Sequence, residues 1–348
     1  MAAVNKIFAI TTRGLESVCA EELATIPGVT IQEVAYRRIF ASCREALTPL
    51  LGLRTVEDIF LYAATWSGMG RTRSTLQTIT TMSAQLPLDT MASICAQVRS
   101  LPEGPIFSVT ANFVGRRNYN SDEIKQACAE GVTSRLGWTY SEDDGLASLN
   151  LRIFLEGETA VVGVRLGERS LSKRAYKHSH VPGSLKPTVA AAMASLVGVR
   201  AVMRVLDPCC GAGTILIESQ AYQAEALGGD MDLQAVKAAQ QNAEDAQATV
   251  QVQLWDALAL PIADRSVDRV ISNLPWGRAV KTQPTLKALY DGIGRGIKRV
   301  LALNGQAALL TNQPELVQIE GMKCKSRIEI SLFGQTPTIL VWHNRNSG

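Results

Sequence analysis

Hydrophobic and polar positions alternate differently in the two halves of the chain. In the first half, short strand-like runs are separated by helical patterns. Ile7–Thr11 is an apolar run, and after Gly14 the residues Leu15, Val18, Cys19 and Leu23 recur at helical spacing until Pro27-Gly28 stops them. Val29–Val34 and Arg38–Ser42 predict two strands, Leu47–Leu53 a short helix and Val56–Ala64 a further strand. The polar, glycine-containing residues Ser67–Thr75 predict a loop, Leu88–Val98 a helix and Ile106–Ala111 a strand. Ser121-Asp122-Glu123 reads as the capped start of a helix that runs to about Leu136. Leu149–Leu155 and Thr159–Val164 alternate apolar with polar, and Glu156-Gly157-Glu158 between them predicts a hairpin.

In the second half Val202–Leu206 is an apolar-rich run, as in a strand buried on both faces. Val250–Leu254, Arg269–Ser272 and Gly305–Thr311 predict further strands. Helical patterns lie between them: Thr214 to about Leu227, Leu233–Ala246 with Asp232 as cap, and Pro284–Leu303. Pro187 and Thr188 open an alanine-rich helix ahead of the first run, using proline's suitability for a first turn. Cys324–Leu332 and Thr336–Trp342 predict a closing antiparallel hairpin. Strands alternating with helices predict a doubly wound α/β domain.

The strand ends carry the candidate chemistry. Val202–Leu206 runs into Asp207-Pro208-Cys209-Cys210-Gly211-Ala212-Gly213-Thr214, a glycine turn opening a helix. Glycines let backbone N–H groups approach a ligand closely. The third glycine of a dinucleotide fingerprint is replaced by Leu216, and the Gly-Lys-Ser/Thr of a P-loop is absent. A carboxylate at Asp207 suits an ammonium group and the turn amides suit a carboxylate. That pair of groups describes S-adenosylmethionine better than a phosphate. Asp230, at the end of the next strand, is placed to accept both ribose hydroxyls of an adenosine, and Met231 to pack the adenine face. Asp256, followed by Ala257 after the third strand, is placed to accept from the adenine amino group.

The fourth strand ends in Asn273-Leu274-Pro275-Trp276. This resembles the Asn/Asp-Pro-Pro-aromatic motif of amino-group methyltransferases, with Leu274 in place of the first proline. The exocyclic amine of a nucleobase shares its lone pair with the ring and is a poor nucleophile. Two acceptors, the Asn273 amide oxygen and the Leu274 carbonyl, can hold its protons, aim the nitrogen and stabilise the growing positive charge. Pro275 stiffens the loop and Trp276 stacks a base turned out of its helix. Cytosine C5 chemistry would need a cysteine nucleophile at this tip, and none is present.

Bulk properties narrow the partners. The 348 residues allow about two domains, with 46% hydrophobic and 19% charged residues. A net charge of +3 carries no disordered basic tail, so contacts to a polyanion must come from local clusters. Arg116 and Arg117 form one; Lys173, Arg174 and Lys177, near Tyr176, His178 and His180, form another that either grips RNA phosphates or is a charged linker. Seven cysteines without a C-x-x-C pair argue for reduced thiols and against a zinc site or disulfide framework. No signal layout and no membrane-length apolar stretch is present, which predicts a cytoplasmic protein with no metal and no membrane association.

Phe107–Ile124 (FSVTANFVGRRNYNSDEI), the paired strands after it and GERSLSKRAYK resemble a THUMP domain, and TTRGLESVCAEEL resembles the start of the ferredoxin-like domain that precedes it. The whole order is similar to the THUMP-containing tRNA guanine-N2 methyltransferases. That resemblance implies a ferredoxin-like domain at 1–58, a THUMP domain at 59–168, a linker at 169–182 and a Rossmann-like class I methyltransferase domain at 183–348. It implies a monomer acting on the tRNA acceptor stem and 3′ end, typically at guanosine 6. It adds Ser184, Leu185, Lys186 and Thr188 to the cofactor residues Asp207, Pro208, Gly211, Gly213, Thr214, Asp230, Met231, Asp256, Ala257 and Asn273. The motifs leave open the same chemistry on ribosomal RNA guanine or on adenine N6. A non-catalytic RNA-binding protein would have no use for amine acceptors at Asn273–Trp276.

Overall fold

Each half of the chain is built on a seven-stranded sheet, and the sheet of the second half sets the candidate site. The structure is a computed structural model describing residues 4–179, 181–277 and 285–344. It divides into one unit of Met1–Ile10, Ala20–Leu53 and Glu57–Leu171, and a second of Thr11–Cys19, Arg54–Val56 and Ser172–Gly348. No helix among the described residues is long and apolar enough to cross a membrane.

The first unit contains β1 (Asn5–Ile10), β2 (Val29–Ala35), β3 (Arg38–Cys43), β4 (Asp58–Ser67), β5 (Phe107–Phe113), β6 (Leu149–Glu156) and β7 (Thr159–Arg165). Their order is β2-β3-β1-β4-β7-β6-β5. The domain boundary expected at residue 58 falls on the first residue of β4. That strand pairs antiparallel with β1 on one side and β7 on the other, so the sheet runs unbroken across it. The helices are α1 (Glu16–Ala24), α2 (Ser74–Ser83), α3 (Leu88–Cys95) and α4 (Ser121–Leu136). Residues 48–52 form only a 3-10 turn. The loop expected over Ser67–Thr75 gives way to α2 at Ser74. The buried face is Thr75, Ile79 and Ser83, so two of its three core positions are polar and hide the periodicity. The cap of α4 is Asn120, not Ser121: the Asn120 side chain accepts from Glu123 N–H, and the Glu123 carboxylate accepts from Asn120 N–H.

The second unit contains α5 (Pro187–Leu196), β8 (Arg204–Asp207), α6 (Thr214–Gln220), β9 (Glu225–Asp230), α7 (Leu233–Asp245), β10 (Val250–Leu254), β11 (Val267–Asn273), α8 (Leu286–Val300), β12 (Leu301–Thr311), β13 (Lys323–Glu329) and β14 (Thr338–His343). Their order is β10-β9-β8-β11-β12-β14-β13. The five strands β8 to β12 are parallel, and β14 is antiparallel to both β12 and β13. The order reverses beside β8, and in open α/β sheets ligands bind outside the strand ends at such a reversal.

Two expected boundaries move for one reason. The helix expected to reach Leu227 ends at Gln220, and the helix expected to reach Leu303 ends at Val300, where β12 starts at once. A continuous apolar run fits a buried helix and a buried strand equally. Ala226, Leu227 and Leu301 are buried, as their pattern indicated, but in strands. The core that fixes β11 and β12 comes from α8, whose residues Tyr290, Ile293, Ile297 and Val300 recur on one face and are each 2% exposed or less. Burial of each such side chain contributes roughly 1.5–3 kcal/mol.

Candidate active site

β8 and β11 are neighbours, with Arg269 opposite Val205 and Val270 opposite Leu206. Asp207 and Asn273 therefore end adjacent parallel strands at the same edge of the sheet. The two tips are also bonded: the Ser272 hydroxyl donates to Asp207 Oδ1 at 2.7 Å. On the other side of β8, Asp207 is opposite Gly228 and Asp230 is opposite Leu254, which puts all the expected strand-end residues on one rim.

The glycine turn is shaped from beneath. Asp207 is 1% exposed and its Oδ1 also accepts from Cys209 N–H at 3.1 Å. Burial pushes its carboxyl up to about 7; the Ser272 and Cys209 donors oppose that rise, and the charge of Asp230 adds to it. Asp230 holds the turn from the side: Oδ2 accepts from Gly211 N–H and Oδ1 from Asp232 N–H, both at 3.0 Å. Gly213 sits at φ 75°, and a Cβ there would lie 3.0 Å from Ala239 on α7, so the turn needs glycine twice over. Burial raises the thiols of Cys209 and Cys210, and the negative charge of Asp207 raises them further. Both stay protonated and neither is a nucleophile at neutral pH.

Trp255 completes the floor of the turn. Its indole N–H donates to Pro208 O at 3.1 Å, and a Cβ on Gly229 would lie 2.5 Å from its ring. The sequence signal for this was the pair Gly228-Gly229 opposite a bulky strand end. Met231 is 79% exposed at the rim, and Asp256 is exposed with Oδ1 accepting from Leu258 N–H.

The Asn273 amide has a defined orientation. Its Nδ2 donates to Gly183 O at 3.1 Å, and its Oδ1 accepts from the Trp276 indole N–H at 3.1 Å. A carbonyl can only accept and an indole N–H can only donate, so the two contacts together fix which way the amide faces. Oδ1 keeps a second lone pair for a ligand. Trp276 was expected to act by stacking; the structure gives it this orienting bond as well. Leu274 N–H donates to Leu310 O, which ties the loop to β12, and the Leu274 side chain is buried.

Of the expected linker, 169–182, the residues from Ser172 on belong to the second unit, and Arg174, Tyr176, Lys177 and Ser179 are bonded to it. Lys177 was expected at RNA phosphates. Instead its ammonium is half-buried, donating to Leu185 O and to Thr214 Oγ1, and burial lowers it to about 8. Arg174 was expected there too. It is 13% exposed and donates to Glu218 Oε1 and Arg54 O, while Tyr176 donates to the same Glu218 oxygen. Glu218 is fully buried, and its charge is neutralised by Arg174 and by Arg54, 2.7 Å from its Oε2. Lys173 alone of the three basic residues is exposed. Asn242, also fully buried, bonds Ser179 through both its groups and Ala212 O through its amide. The result is a strap lying along the rim from the glycine turn to Asn273. His180 lies outside the described residues.

The strap carries the expected segment Ser184–Thr188. Ser184 Oγ and Thr188 Oγ1 are buried, and neither has a hydrogen-bond partner among the described residues. Leu185 is buried and Lys186 is half-buried. Two orphaned hydroxyls beside a glycine turn fit a polar ligand.

In the first unit, Arg116 is exposed and Arg117 is not free for phosphates. Arg117 donates to Met69 O, Gly70 O, Tyr119 Oη and Gly157 O, and so pins its own loop.

The doubly wound sheet and its reversal beside β8 are the fold of a class I methyltransferase. Residues 174–328 match the family model described as UPF0020, RMKL-like, methyltransferase domain. A tRNA (guanine(6)-N2)-methyltransferase of Thermus thermophilus is 29% identical over 318 residues, which is 89% of this chain and 90% of that protein. The human U6 snRNA (guanine-N(2))-methyltransferase THUMPD2 is 29% identical over 199 residues, 56% of this chain but only 38% of that protein. The crystal structure of TrmN from Thermus thermophilus has a TM-score of 0.78 at 28% identity, covering 98% of this chain and 99% of that one. Over nearly its whole length the chain is thus similar to a guanine-N2 methyltransferase, and residues 174–328 match a methyltransferase domain.

Proposed function

We propose that this protein transfers a methyl group from S-adenosylmethionine to the exocyclic N2 of a guanosine in the tRNA acceptor stem, at position 6. The observation that carries it is the fixed Asn273 amide on the strand next to Asp207. Similarity along nearly the whole Thermus enzyme supports the base and position. The cofactor supplies an electrophilic methyl group. Asp207 and the turn amides hold its amino-acid end, Ser184 and Thr188 meet its polar edge, Asp230 takes the ribose, and Asp256 and Met231 flank the adenine. Asn273 Oδ1 and the Leu274 carbonyl accept the two amine protons and turn the nitrogen lone pair out of conjugation. With the donor bound, the C–S bond would break as the N–C bond formed, and one amine proton would leave to water.

Residues 1–58 and 59–168 act as ferredoxin-like and THUMP parts of one sheet that reads the acceptor end by shape, and the enzyme works as a cytoplasmic monomer. Arg116 and Lys173 are the exposed cations that meet phosphates. Arg116→Glu is expected to weaken tRNA binding and to reduce the salt slope by about one. A slope equal to wild type in a filter-binding titration places the RNA elsewhere. Arg117→Glu, in contrast, is expected to unfold the loop around Gly70.

Binding of the cofactor ammonium needs ionised Asp207. With its carboxyl near 7 in the free protein, affinity is expected to fall as pH drops through that value, roughly tenfold per unit below it. Titration calorimetry at several pH values checks this, and a flat profile from mildly alkaline to mildly acid pH removes Asp207 from the contact. The amine itself is tested with an acceptor-stem transcript carrying inosine, which lacks the 2-amino group, in place of guanosine 6. Methylation is expected to vanish; if it persists, guanine N2 at that position is not the target.

A further inference from the structure

The acceptor loop has a second anchor, and it lies outside the Asn273–Trp276 motif. Tyr290 is on the buried face of α8, and its hydroxyl is 2.7 Å from Pro275 O and 2.8 Å from Thr311 Oγ1. The proton positions follow from the partners. Pro275 O can only accept, so the Tyr290 hydroxyl donates to it. Thr311 must then donate to the phenol oxygen, and the Thr311 oxygen accepts from Gln313 N–H at 3.0 Å. One directed chain thus runs from the backbone after β12 through two buried hydroxyls to the loop. Burial raises the Tyr290 phenol, so it keeps its donor proton at any working pH.

The chain ends where it matters for the amine. Leu274 N–H is held by Leu310 O, and Pro275 has no N–H and a nearly fixed φ. The Leu274 carbonyl lies between these two points. With Leu274 N–H and Pro275 O both bound, the peptide plane between them cannot rotate freely. We propose that Tyr290, held by Thr311, is a positioning residue that aims the Leu274 carbonyl at the methyl-accepting amine. This rests on the amine-methylation reading above. It adds two residues to the reaction that touch neither cofactor nor base.

A misplacement of about 1 Å at a reacting group can cost on the order of a hundredfold in rate. Tyr290→Phe keeps the ring in the core and removes only the donor. It is expected to lower kcat on an acceptor-stem tRNA transcript ~10- to 100-fold, with KM for the transcript and Kd for S-adenosylmethionine within about threefold of wild type. Thr311→Val, which breaks the chain one link further out, is expected to lower kcat by a smaller factor, and Thr311→Ser, which keeps the hydroxyl, to restore it. An unchanged kcat in Tyr290→Phe overturns the proposal. So does a loss in which kcat, KM and Kd move together with the unfolding midpoint, because that marks a purely structural bond. If Tyr290→Phe is poorly folded, the contrast between Thr311→Val and Thr311→Ser decides, and equal rates for those two overturn it. A wild-type enzyme that leaves guanosine unmethylated would instead sink the amine-methylation reading itself.

Discussion

Asn273→Ala is expected to lower methyl transfer by about 10²–10³-fold or more, the range found when one preorganised group is removed from a site of developing charge. The loss should appear in kcat. Alanine removes the oxygen that accepts from the substrate amine and also the partner of the Trp276 indole and of Gly183 O. The loop keeps its two other anchors, at Leu310 and Tyr290, so it should remain in place. Cofactor affinity should stay within a few-fold, because the residues assigned to the cofactor carboxylate, ribose and adenine are on other strands. Calorimetry with S-adenosylmethionine beside single-turnover kinetics separates the two effects. Equal loss of binding and rate would make Asn273 a structural residue.

Asp230→Ala should reverse that pattern. Two hydrogen bonds from ribose hydroxyls to a carboxylate are together worth about 3 kcal/mol or more, so Kd for the cofactor is expected to rise roughly 100-fold. Part of that loss comes from the turn, because Asp230 Oδ2 also holds Gly211 N–H. Asp230→Asn separates the contributions: its amide oxygen can keep the bond to Gly211, while its NH₂ can no longer accept from ribose. An intermediate Kd for the asparagine variant is the expected result. Wild-type affinity in both variants would mean that Asp230 serves only the turn.

The strand-end residues were legible in the sequence because each has a distinctive position. A parallel strand buried on both faces has to surface at its end, and an acid or amide placed there stands out against the apolar run before it. Asp207, Asp230 and Asn273 could be placed on one rim for that reason. Within the basic cluster 173–177 the sequence does not separate Arg174 from the exposed Lys173, because charge alone does not distinguish a solvated cation from one that neutralises a buried acid. Glu218 lies on α6 more than forty positions away, and only the fold brings Arg174 and Tyr176 to it. The same holds for Lys177 and Arg117, whose partners are mostly backbone carbonyls, which every sequence contains. Tyr290 and Thr311 were silent because each fits an apolar face without needing its hydroxyl, and the use of that hydroxyl depends on a loop fifteen or more residues away.

The central claim is that two adjacent strand tips present a methyl donor and a guanine amine to each other. It is tested most directly by incubating the enzyme with labelled S-adenosylmethionine and total tRNA, digesting the RNA, and identifying the labelled nucleoside by mass spectrometry. The predicted product is N2-methylguanosine. Label in a methylated adenosine or cytidine, or RNA that stays unlabelled while the cofactor binds, would contradict it.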